Sequence, residues 1–290
     1  MNAVLYLSTV FIFGTTWLAI YYQIGEVPVT VSVFYRFALA AIIMLVGVRL
    51  LGKLQHTTWR DQGYLFLQGC CLFSFNFLCF YTATETIASG LVSVVFSLAS
   101  IFNAINNRLI WKEAIPLRVV AAGAIGALGL VLLFLPELQG EGVSLVSPRG
   151  VFLAILGTYL FSLGNMITRR NGSVGLHPVT TNTYAMAYGA LILALVLILT
   201  QQPLVMPTAA EYFPALLYLS VFGSVIGFTT YLLLVNRIGP NHAAYTTVLM
   251  PVIALFLSSW FEGYVWYVTS YVGLGLVLLG NLVLVLKRRA

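Results

Sequence analysis

Charge is what this sequence has least of. Only 8% of its 290 residues are charged, against about 25% in a typical soluble domain. A water-soluble fold of this length has no means of hiding so much apolar surface, so the solvent is lipid. Cysteine is also scarce. Cys70, Cys71 and Cys79 all fall in one apolar run, where they read as small buried hydrophobes and neither a disulfide framework nor a metal site. His56, His177 and His242 lie far apart without ligand spacing, so neither a metal nor a cofactor is expected. No HExxH, GxSxG or paired aspartates occur, so the chain is not expected to be an enzyme. The net charge of +6 comes from single basic residues between apolar runs. They form no patch with interleaved aromatics, which argues against a nucleic-acid partner.

What is present is grease: 60% hydrophobic residues and a mean hydropathy of +0.98. Apolar runs of about 20 residues are membrane-helix candidates. Ten are found, at 3–22, 30–50, 62–82, 87–110, 116–135, 149–168, 178–199, 212–234, 242–260 and 265–286. The opening MNAVLYLSTVFIFG has no basic n-region and no small-residue cleavage site, and reads as a retained first span. Connections such as GEVP and IGPN are short and force antiparallel neighbours.

Charge then orients the set. With the N-terminus in the cytoplasm, twelve of the 14 basic residues gather on that side: Arg49, Lys53, Arg60, Arg108, Lys112, Arg118, Arg169, Arg170, Arg237 and the Lys287-Arg288-Arg289 tail. The other side holds Arg149 and the acids Glu26, Glu85, Glu137, Glu141, Glu211 and Glu262. This is the positive-inside pattern, and it predicts a multi-pass inner-membrane protein with both termini cytoplasmic. The basic residue left over is Arg36, about eight residues into the second span.

The chain resembles itself. PVTVSVFY at 28–35 aligns with PVTTNTYA at 178–185, and LGLVLL at 128–133 recurs unchanged at 274–279. These matches predict two five-helix repeats, 1–140 and 141–290, in one membrane domain. Five is odd, so the second repeat enters the bilayer inverted. Inverted repeats around a midplane site are an architecture of secondary transporters. The expected fold class is therefore all-α integral membrane protein, with ten transmembrane helices in two inverted five-helix repeats around a central cavity.

Particular residues carry a family resemblance. Arg36-Phe37-Ala38-Leu39-Ala40-Ala41, in the second span, resembles the RF-small-small signature of the EamA-type family of the drug/metabolite transporter superfamily. The fourth helix of each half also resembles the family's pattern of small residues at its start, a mid-helix proline and a closing glutamate. The second half supplies Ala243-Ala244, Pro251 and Glu262; the first supplies Ala88-Ser89-Gly90 and Glu113, with Ala99-Ser100 where the proline would fall. The resemblance implies export of small metabolites and is closest to exporters of aromatic and other neutral amino acids.

Polar side chains at mid-helix depth face protein or water, so they outline the cavity. The candidate substrate-binding residues are Thr15, Thr16, Trp17, Arg36, Asn76, Tyr81, Ser97, Asn103, Tyr159, Asn165, Tyr231 and Tyr245. No Asp, Glu, Lys or His sits at that depth. A proton-driven cation exporter would be expected to carry a membrane carboxylate, and a sugar-phosphate carrier a cluster of cations. What remains is a neutral or zwitterionic small-molecule partner within a lipid bilayer, moved by alternating access. An exporter of organic cations and a non-transporting scaffold stay open as alternatives. Arg36 has two readings, as a carboxylate anchor or as a structural or gating group reaching towards Glu26 or Glu85.

Overall fold

The computed structural model describes residues 2–115, 117–138, 147–243 and 246–285. Every regular element of the described chain is helical: α1 (Asn2–Tyr21), α2 (Val29–Leu50), α3 (Trp59–Leu72), α4 (Phe75–Thr84), α5 (Ser89–Phe96), α6 (Ala99–Trp111) and α7 (Leu117–Leu138). Then come α8 (Pro148–Ser173), α9 (Pro178–Leu199), α10 (Tyr212–Tyr218), a π-helical segment (Leu219–Ile226), α11 (Gly227–Ala243), α12 (Thr246–Phe261) and α13 (Val268–Val285). Among the described residues, 8 helical rods are long and apolar enough to cross a bilayer, and two shorter apolar helices, Leu249–Phe261 and Val268–Gly280, follow. This is a multi-pass membrane protein. Its outer surface is apolar, with Leu7, Phe11, Leu195 and Ile198 exposed, as lipid requires.

Local sequence sets the helix ends. Thr58 and Asp61 form a reciprocal capping box on α3. Pro148 and Pro178 open α8 and α9, where a missing N–H costs nothing.

Two predicted spans are not continuous. The run 62–82 breaks between α3 and α4, where Ser74 leaves helical backbone (φ −141°, ψ −84°). The Ser74 hydroxyl donates to the carbonyls of Gly69 and Cys70, both at 3.0 Å, so the Cys70 oxygen that loses its helical partner at the break is satisfied. The run 87–110 breaks at Ser97–Leu98, between α5 and α6. There the amides of Ser97 and Leu98 reach back only three residues, to Val94 and Val95. The hydroxyls of Ser93, Ser97 and Ser100 likewise bond the carbonyls three residues before them, and such bonds compete with the α-helical ladder. By contrast, Pro251 lies inside α12 without ending it. The half that lacks the proline is the one with the broken fourth helix.

Helices of the first half find their main neighbours in the second: α1 against α12, α2 against α9, α4 and α6 against α8, α7 against α13. The α7–α13 pair joins the two copies of LGLVLL. A Cβ on Gly129 would lie 2.6 Å from the Gly273 carbonyl oxygen, and one on Gly273 would lie 2.6 Å from that of Gly129. Backbones this close need glycine on both sides.

Candidate functional site

Arg36 is 1% exposed, at mid-bundle and far from lipid. The π-helical segment holds it. Widening the turn by one residue re-aims side chains, and here two serines converge on one arginine. The Arg36 Nε donates to Ser224 Oγ at 3.0 Å, and Ser220 Oγ donates to the Arg36 carbonyl at 3.1 Å. Nη1 makes a long contact, 3.5 Å, to the Tyr81 hydroxyl. That hydroxyl donates in turn to Gln23 Oε1 at 2.8 Å. The guanidinium carbon lies 4.4 Å from the Phe77 ring centre and 5.2 Å from that of Phe37, a cation–π pairing that partly replaces hydration. Gly223 closes the turn over it, since a Cβ there would sit 3.2 Å from Nη2 and 2.8 Å from Thr16 Cγ2. Gly223→Leu is therefore expected to dislodge Arg36 and cut transport at least roughly tenfold, checked by initial rates at matched protein density.

The guanidinium borders an aromatic cavity of about 30 Å³, room for about one water molecule. Its walls are Phe13, Thr16, Trp17 and Ile20 of α1, Arg36 of α2, Asn76, Phe77 and Phe80 of α4, Phe96 of α5, Phe161 of α8, Phe228 of α11 and Met250 of α12. The rings meet edge to face, Trp17 on Phe80 at 5.4 Å, Phe80 on Phe96 at 5.4 Å and Phe96 on Phe161 at 4.7 Å. Two donors on this wall make no hydrogen bond to the described residues: Trp17 Nε1 and Asn76 Nδ2. The Asn76 Oδ1 already accepts from the Phe77 amide at 2.8 Å.

Of the residues singled out from the sequence, Thr16, Trp17, Arg36 and Asn76 meet at this cavity. Tyr81 stands behind Arg36, and Tyr231 is buried against Phe13 and Phe161. The others lie elsewhere. Thr15 turns away to share a hydrogen bond with Tyr218, beside an open groove of about 490 Å³ between α1 and α10. Ser97 bonds its own helix, and Tyr159 packs edge-on against Phe102 at 5.5 Å. Tyr245 is outside the described residues.

Asn103 and Asn165 bond each other at 3.3 Å within a polar seam between α6 and α8. The seam continues through Asn106 to Ser162 at 2.8 Å and Arg169 to Asn107 at 2.7 Å. Arg169 also pairs with Glu113 at 2.7 Å and stacks over Trp111, while Arg170 pairs with Asp61 at 2.8 Å. These contacts shut the bundle at the end carrying Glu113.

The opposite end is shut differently. Glu262 accepts from the Ser89 amide at 2.9 Å and from the Ser89 hydroxyl, which ties the loop after α12 to the start of α5. Burial pushes the Glu262 carboxyl up from its ordinary range, against the opposing effect of Ser89. Its folded pKa then lies above the unfolded one. Its contribution to stability is full below the unfolded value and is lost as pH rises through the folded value. Glu262→Gln is expected to flatten that part of the stability–pH profile, measured by thermal unfolding in detergent.

Sequence reading did not single out Gln23, Ser220, Asn106 or Arg169. Gln23 and Arg169 lie near helix ends, where polar residues are ordinary. Ser220 and Asn106 depend on helix phase. Neither Glu26 nor Glu85 is the partner of Arg36: Glu26 accepts from Thr208 and Ala209, and the cation that Glu85 senses is Arg149. Among the described residues the ion pairs are those of Arg169 and Arg170, so Arg36 has no carboxylate partner there.

Comparison with known proteins is consistent with this geometry. The EamA-like transporter family matches residues 1–135 and 148–286. An uncharacterized transporter of Archaeoglobus fulgidus is 26% identical, with 97% of each chain covered. YyaM of Bacillus subtilis, also an uncharacterized transporter, is 26% identical over 84% of this chain and 81% of its own. The uncharacterized inner membrane transporter YedA of Escherichia coli is 23% identical over 92% and 84%. A crystal structure superposes with a TM-score of 0.73 at 17% identity, covering 100% of this chain and 99% of that one, a likeness of fold alone. The chain belongs to the EamA-like transporter family.

Proposed function

We propose that this membrane transporter exports small neutral or zwitterionic metabolites, aromatic and other neutral amino acids first among them, by alternating access between two inverted five-helix repeats. The observation that carries the reading is the cavity itself. It is lined by rings and walled by both halves of the chain. At about 30 Å³ it is far below the roughly 300–1,000 Å³ of ligand pockets, so it widens to take cargo. The breaks at Ser74 and Ser97–Leu98 supply places where helices bend.

The duplication is supported by the family match falling in two stretches, 1–135 and 148–286. The charge distribution, together with the naming of YedA as an inner membrane transporter, supports an inner-membrane location with both termini cytoplasmic. A cationic cargo would meet Arg36 with no carboxylate on the described wall, which disfavours an organic-cation exporter.

Counterflow in proteoliposomes tests the proposal. Vesicles loaded with unlabelled Trp, Phe, Met, Thr or Ala are expected to accumulate the labelled amino acid whether or not a proton gradient is present. Exchange of an organic cation for protons, with no amino-acid counterflow, would sink it. No counterflow of any solute would favour a scaffold.

A further inference from the structure

The cavity is one-sided in its hydrogen bonding and in its charge. Its polar wall offers donors: the Arg36 guanidinium, the Trp17 indole N–H and the Asn76 amide, the last two without partners. All three side chains are more than nine-tenths buried, at 1%, 4% and 0% exposure. Acceptors are scarce. Asn76 Oδ1 is taken by the Phe77 amide, which leaves Thr16 Oγ1, itself donating to the Phe13 carbonyl. The faces of Phe37 and Phe77 are already occupied by the guanidinium. Among the described residues no carboxylate pairs with Arg36. A buried cation without a counter-charge is costly, and an anionic cargo would supply one.

From this we infer that the preferred cargo is an aromatic monocarboxylate carrying no ammonium group, so that the ligand itself is the counter-ion of Arg36. The inference rests on the transporter reading and moves its substrate class from neutral and zwitterionic amino acids to the anions of the same aromatic body. The carboxylate takes the donors of Trp17 and Asn76 and the cavity-facing edge of the guanidinium, and the ring parts Phe80, Phe96 and Phe161 as the cavity widens around it. An α-amino acid brings the same carboxylate with an ammonium group a few ångströms from Arg36. Like charges at that spacing repel strongly where water is excluded, and among the described residues of the wall no free acceptor offsets the repulsion.

Three ligands with one phenyl-alkyl body separate the cases: 3-phenylpropionate (net −1), phenylalanine (net 0) and phenethylamine (net +1). The shift in unfolding temperature of the purified full chain, titrated with each at pH 7.5, reads their affinities. The expected order is 3-phenylpropionate first, phenylalanine weaker by roughly tenfold or more, and phenethylamine without effect. Trp17→Phe keeps a ring in place and removes only the N–H; it is expected to weaken 3-phenylpropionate by about tenfold and to narrow its lead over phenylalanine. Phenylalanine binding as tightly as 3-phenylpropionate, stabilisation by phenethylamine, or no stabilisation by any of the three would each overturn the inference. The first two would leave the transporter reading standing, and counterflow of the wider amino-acid panel decides that reading separately.

Discussion

Arg36→Gln is expected to reduce counterflow by about a hundredfold while the protein still folds and inserts. The two effects have different physical origins. Glutamine can keep hydrogen bonds to Ser224 or Tyr81, the neutral groups that now hold the guanidinium. It also removes a cation whose burial is unfavourable, and exchanging buried charge for neutral groups is often neutral or stabilising. The unfolding temperature should therefore hold or rise. Transport should fall because a charge-assisted bond to cargo, worth roughly 1.5–3 kcal/mol, is gone, which is about 10- to 150-fold in apparent affinity. Arg36→Lys keeps the charge but not the planar fork that meets Ser224 through Nε and cargo through its other edge. It should be impaired as well, about tenfold. The contrast is measured by pairing initial rates with thermal unfolding of the same preparations. If Arg36→Gln instead lost its fold and its transport together, Arg36 would be a structural element.

The second large effect is on assembly of the bundle. Gly129→Val and Gly273→Val each place a side chain where the partner helix has backbone, with a Cβ only 2.6 Å from a carbonyl oxygen. Overpacking in a tight interior typically costs about 1–3 kcal/mol, and here the neighbour is main chain, which cannot rotate aside. Either variant is expected to lower the unfolding temperature sharply. Because both substitutions separate the same pair of helices, the double variant should lose little more than the worse single one. Additive losses would mean that the two glycines act independently and that α7 and α13 do not meet as one interface.

Much of this architecture was legible in the sequence because lipid imposes a simple rule: about 20 apolar residues per crossing, with basic residues held to one side. The same rule hides what lies inside each span. Membrane helices are apolar on every face, so periodicity does not reveal which side turns inward. Thr15 and Thr16 look equivalent in sequence. They are about 100° apart around α1, and only Thr16 reaches the cavity while Thr15 meets Tyr218. The breaks at Ser74 and Ser97 were invisible because serine is an ordinary membrane-helix residue, and its effect depends on which carbonyl its hydroxyl finds. Pro251 is the residue type that ends helices in water, yet α12 runs through it. Arg36 was legible as an anomaly, a charge in an apolar run. Its partners were not, because Ser220 and Ser224 converge on it only through the π-helical turn, and nothing in LSVFGSVI announces one.

Side-dependent labelling at Thr16 tests the central claim most directly. The protein carries Thr16→Cys, with Cys70, Cys71 and Cys79 replaced by alanine, and sits in sealed vesicles exposed to a membrane-impermeant thiol reagent. The cavity read as an alternating-access site predicts slow labelling from the outside and, in a separate experiment, from the inside, with both rates reduced by bound aromatic cargo. A cysteine that reacts from neither side, or at a rate that cargo leaves unchanged, would mean that the ring-lined space around Arg36 is sealed core and the transport pathway runs elsewhere.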